Sequence, residues 1–101
     1  MMCIRQLVEK IYEEIEDAQS YTELALEYKN EDRVLGEAYI QLAKDEMAHM
    51  NKLHDQVSRE ITEWKNNNPE APQGMLGLYE YEHGKMIECA AKVQLMINTY
   101  K

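Results

Sequence analysis

The chain has 101 residues, seven of them Tyr and seven Met, with one Trp, no Phe and a formal net charge of -8. That length builds one small core, so a single domain is expected. The acid excess argues against nucleic acid or an anionic membrane surface as partner, and no apolar run approaches a membrane span.

Nothing at the N-terminus reads as a signal peptide, and Cys3 and Cys89 make neither a metal spacing nor a disulfide framework. A cytoplasmic location with free thiols is the resulting expectation. Four Gly, two Pro and an abundance of Glu, Lys, Leu, Ala and Gln favour helix nearly throughout.

Helix 1 is predicted from about residue 3 to 29, with Ile4, Leu7, Ile11, Ile15, Ala18, Tyr21, Ala25 and Tyr28 at helical spacing. Asn30 suits a cap, and Glu31 and Asp32 suit the positive end of a following helix. Helix 2 is predicted from about 31 to 65, with an apolar stripe of Leu35, Tyr39, Leu42, Met50, Leu53, Val57 and Trp64. Asn66 to Gly74, with two Pro and three consecutive Asn, reads as the clearest loop. Helix 3 is predicted from about 75 to 100, its stripe being Met75, Leu76, Tyr79, His83, Met86, Ala90, Val93 and Ile97. The turn near Asn30 is short, so helices 1 and 2 form an antiparallel hairpin.

Two acids sit where apolar residues are expected. Glu46 falls at the middle of the apolar face of helix 2, and His49 stands one turn further, about 60° to one side. Glu14 interrupts the stripe of helix 1 between Ile11 and Ala18, whereas Glu13 and Glu16 project elsewhere. A chain that reverses near residue 30 brings Glu14 and Glu46 to the same height, with His49 displaced by about one turn. The nearby cations Lys10, Lys44 and Lys52 all point outward on the same wheel. Two buried carboxylates repel unless one is protonated or a cation lies between them. Metal binding and a protonated or hydrogen-bonded structural pair are the two readings, and metal binding resolves the conflict better.

The stretch Glu14-Ile15-Glu16-Asp17-Ala18-Gln19-Ser20-Tyr21, with a Glu seven positions before a Tyr, resembles the first metal helix of rubrerythrins. Leu42-Ala43-Lys44-Asp45-Glu46-Met47-Ala48-His49 resembles the Glu-x-x-His helix of the same ferritin-like superfamily of di-iron carboxylate proteins. The likeness covers residues 4 to about 57. It implies an all-α fold in which the hairpin and a third long helix form a ferritin-like unit, and dimerisation completes a four-helix metal bundle. The encapsulated ferritins, which it also resembles, likewise carry a two-helix metal hairpin per subunit.

By that resemblance Glu14, Glu46 and His49 are iron ligands, Glu46 bridges, and a homodimer or ring of dimers holds two iron ions per dimer. Manganese and zinc suit the same mixed ligands. Glu13 and Glu16 correspond to acids near an iron access path. Tyr21 stands near the metals as a donor of an electron or hydrogen bond, or else is a large core side chain with a polar tip. The implied activity is oxidation or sequestration of Fe(II) with dioxygen or peroxide. No rubredoxin-type Cys pair is present to supply electrons, which favours iron oxidation or storage over peroxide reduction.

The second half departs from the family pattern. Its one helix carries Glu80-Tyr81-Glu82-His83, but the expected register puts His83 about 16 Å from the level of Glu46. His83 therefore reads as a core or interface histidine, and His54 as an exposed one. The rival from another class is a non-catalytic helical oligomerisation or adaptor protein with a structural or vestigial metal site.

Overall fold

The computed structural model describes residues 2–68 and 73–101, with side chains over 5–68 and 80–101. Among the described residues there are three α-helices and no strand: α1 (Met2–Tyr28), α2 (Arg33–Asn67) and α3 (Gln73–Thr99). The middle of the expected loop, 69–72, and the side chains of Cys3, Ile4, Met75, Leu76 and Tyr79 lie outside the described residues. The three helices make a rod of 58 × 17 × 17 Å. Its length matches the roughly 52 Å that α2's 35 residues span at helical rise. No described helix is long and apolar enough to cross a membrane.

Residues 29–32 reverse the chain. The Glu31 and Asp32 N–H groups both donate to the Tyr28 carbonyl, at 3.1 and 2.8 Å. The helix cap is Asp32 and not the expected Asn30. Asp32 has extended backbone (φ -146°, ψ 90°), and its carboxylate accepts the Leu35 N–H at 3.1 Å. Asn30 lies inside the turn, two residues too early to reach the orphan N–H groups of α2.

Gly36 sits just beyond this turn, where α1, α2 and the end of α3 converge. A Cβ there would stand 3.3 Å from the Ala25 carbonyl oxygen, 3.3 Å from Lys29 Cα and 3.1 Å from the Tyr100 hydroxyl. Two of those neighbours are backbone and cannot rotate away. Gly36→Leu is expected to cost about 2–3 kcal/mol by overpacking, read as a lower Tm with helix content retained.

The core follows a seven-residue repeat in every helix. In α1 the buried line is Ile11, Ile15, Ala18, Thr22 and Ala25; in α2 it is Gly36, Ile40, Ala43, Met47, Met50 and Val57; in α3 it is Met86, Val93 and Ile97. Spacings of four and three alternate in α1 and as far as Met50 in α2, and the steps from Met50 to Val57 and from Met86 to Val93 are seven, all in keeping with the 3.5-residue period of helices that coil about one another. The wholly buried Thr22 satisfies its hydroxyl by donating to the Ala18 carbonyl at 2.7 Å.

This differs from the expected stripe of α2. Leu42 is 41% exposed, and Gly36, Ile40, Ala43 and Met47 take the buried positions instead. A wheel turned at 100° per residue merges two adjacent lines that a 3.5-residue period keeps apart. One line, 36-40-43-47-50-54-57, faces the interior of the three-helix rod. The other, Leu35, Tyr39, Leu42, Glu46, His49 and Leu53, runs beside it along the flank.

Among the described residues α1 and α2 share the main interface, and α3 leans more on α1 than on α2. α3 runs alongside α1 in the same direction. Its Glu82 carbonyl accepts from the Tyr12 hydroxyl at 3.5 Å, and its end reaches the turn, where Lys29 Nζ lies 5.6 Å from the centre of the Tyr100 ring. Burial, then the negative charge of Glu82, holds the Tyr12 phenol above its usual 10.0. A raised phenol favours the folded state while protonated, so its contribution is complete below about pH 10 and fades as pH climbs past that. Tm measured from pH 8 to 11 should therefore fall less steeply for Tyr12→Phe than for the wild type.

Candidate metal centre

Glu14, Glu46 and His49 meet where the reversal predicts. One ligand atom from each lies within 4.8 Å of the other two. His49 Nδ1 is 3.6 Å from Glu14 Oε2 and 4.0 Å from Glu46 Oε2. The acids are held between the two helices, with side chains 15% and 19% exposed, while the imidazole is 56% exposed. Among the described residues this is the one group of three or more His, Cys, Asp or Glu side chains close enough to share a cation.

The arrangement leaves a debt. Glu14 Oε2 is buried and has no hydrogen-bond partner. At 3.6 Å the imidazole is too far to supply a proper one. Leaving such an oxygen bare costs about 1–3 kcal/mol, more when it is ionised. Lys10 is engaged with Glu13 at 3.1 Å, and Lys44 and Lys52 are exposed.

A divalent cation fits the donors. Metal–oxygen and metal–nitrogen bonds of about 2.0–2.2 Å put neighbouring ligand atoms about 3–4 Å apart. Side-chain shifts of under about 1 Å would close the observed triangle to that size.

The site lies on the flank of the hairpin away from α3. Ile87, Ala90 and Gln94 of α3 border a groove with Met47, Asn51 and His54 of α2, while Cys89, Lys92 and Met96 border another with Tyr12, Ile15 and Gln19 of α1. Around each helix, Glu14 is about 160° from Tyr12, and His49 about 160° from Asn51. Glu46 is thus at the edge of the core and not, as expected, at its centre.

Tyr21 does not join the ligand triangle. It is half-buried and packs against Tyr39, ring centres 6.2 Å apart, and Tyr39 in turn packs against Tyr28 at 6.3 Å. This tyrosine row begins two turns from the acids and runs toward the reversal. Glu13 and Glu16 are exposed, and Glu16 borders the α1–α3 groove well away from the triangle.

Glu80 is exposed, and His83 packs against His54 of α2. The expectation of an exposed His54 is corrected: it is half-buried and in contact with His83. The signal was in the sequence, since position 54 continues the seven-residue line from Met47 and Met50 to Val57.

The chain matches no protein-family model, no curated protein and no solved structure.

Proposed function

We propose that the chain is a ferritin-like di-iron carboxylate protein that oxidises or sequesters Fe(II) with dioxygen or peroxide at a site shared between two subunits. The observation that carries this reading is the bare, buried Glu14 Oε2 facing a second carboxylate and an imidazole from the neighbouring helix. Three ligands are half of what a di-iron bundle uses, and a two-fold axis beside the hairpin would supply each of them twice.

The exposed flank supports that assembly. Leu7, Tyr21, Tyr28, Leu35, Tyr39, Leu42 and Leu53 line the flank that carries the acids with apolar surface, all half-buried except the more exposed Leu42. A second hairpin laid on it would bury these side chains and dry the acids further. It would also bring four carboxylates together, so cation binding and association favour each other.

Glu14, Glu46 and His49 would hold the ions, with Glu46 reaching both. Two ferrous ions held by these residues would supply one electron each, enough with two protons to reduce peroxide to two waters. Tyr21 stands at the head of the tyrosine row as a source of a hydrogen bond or an electron on the same flank. Fe(II) arriving as substrate would be drawn by the chain's net charge of -8.

Oxygen uptake tests the reading. The protein, loaded anaerobically with Fe(II) and then exposed to dioxygen or peroxide, should consume oxidant in proportion to iron and develop ferric absorbance. Stoichiometric metal without oxidant consumption would replace it with a structural site in a non-catalytic helical oligomer.

A further inference from the structure

A second set of metal-ligating side chains lies on the other side of α2. His54 is about 140° around that helix from His49 and five residues along it. Its Nε2 is 2.5 Å from Nε2 of His83 on α3. The ring centres are 4.8 Å apart and the planes are inclined by 15°. The difference between those two distances is one ring width, so the imidazoles lie end to end in nearly one plane. Their nitrogen edges are aimed at each other.

This is an uncommon use of two half-buried histidines. As a hydrogen bond, the contact joins one N–H to one lone pair. As a pair of ligands, it presents two lone pairs along a single line from two different helices. An ion between them, at about 2.0 Å from each nitrogen, needs the rings to part by about 1.5 Å. Both side chains are half-buried, and His54 borders an open groove into which it can shift.

The surroundings select the ion. Met50 precedes His54 by one turn, Met86 follows His83 by one turn, and Met50, His54 and Met86 border the same groove. Among the described residues no carboxylate borders it. Imidazole suits several first-row metals, and thioether sulfur narrows the choice to Cu(I), which also accepts two nitrogens in a line. The oxygen-rich triangle on the opposite flank suits harder ions.

We propose that His54 and His83 clip α2 to α3 around a Cu(I) ion, with the Met50 and Met86 thioethers beside it, as a site separate from Glu14, Glu46 and His49. The inference does not depend on the iron reading, because no residue is shared.

The test is competition for Cu(I) against a chromophoric chelator under reducing conditions. The reference is the full chain carrying Cys3→Ser and Cys89→Ser, which removes thiols that would bind Cu(I) by themselves. It should take one Cu(I) per chain and melt at higher temperature when loaded. Adding Glu14→Gln and Glu46→Gln should leave copper uptake unchanged. Adding His54→Asn or His83→Asn should abolish it, with circular dichroism showing the helices intact. Should those variants unfold, X-ray absorption of the loaded reference decides, through imidazole scattering from two rings with or without sulfur. No uptake by the reference, uptake retained by folded histidine variants, or a spectrum without imidazole would each overturn the proposal.

Discussion

Glu46→Ala should abolish metal uptake while leaving the metal-free protein as stable as the wild type, or slightly more stable. The two effects have opposite signs for one reason. In the metal-free chain Glu46 stands beside Glu14 with only a half-exposed imidazole between them, so removing one acid relieves like-charge repulsion. In the proposed loaded protein the same carboxylate would be one of the three ligands from each chain. Its loss should weaken Fe(II) binding by ~100-fold or more, beyond the cost of losing a group that merely orients a ligand. Anaerobic Fe(II) titration paired with thermal melts of the metal-free protein separates the two. A variant that binds Fe(II) like the wild type, or a metal-free variant that is strongly destabilised, would make Glu46 a structural residue.

Leu42→Lys should dissociate the proposed dimer without unfolding the chain. Leu42 is one turn before Glu46 on the flank away from α3 and is 41% exposed. In a single chain the substitution is a surface change, worth within about 0.5 kcal/mol. Under a second hairpin it would bury two ammonium groups, one from each copy, at several kcal/mol each. Every 1.4 kcal/mol is tenfold in the dimer constant, so a loss of ~100-fold or more is expected. Fe(II) uptake should fall with it, since each separated chain retains only half the ligands. Sedimentation with and without Fe(II) reads both effects. A variant that remains dimeric would move the interface to another face.

The helices and the reversal between them were legible because they depend on local chemistry. Breakers are scarce, Asn-rich and Pro-containing sequence follows Trp64, and the acids near residue 30 mark a helix start. The meeting of Glu14 with Glu46 and His49 followed from counting residues on either side of a tight turn, which needs no knowledge of α3. The face that α3 would cover was not legible in the same way. Leu42 and Met47 are both apolar, and only the packing of a third helix decides which is buried. The 3.5-residue period would have separated their lines, and would have placed His54 inward with Met50 and Val57. The cap at Asp32 was missed because Asn30, Glu31 and Asp32 all have side chains able to accept an N–H, and only backbone geometry chooses among them.

In the proposed assembly two hairpins close one cage around metal. A crystal structure grown with Fe(II), with iron located by anomalous scattering, tests it directly. The expected result is two irons about 3.5–4 Å apart on a two-fold axis, held by Glu14, Glu46 and His49 from both copies. Iron bound within one chain alone, iron held by other residues, or partners that meet across α3 would contradict it.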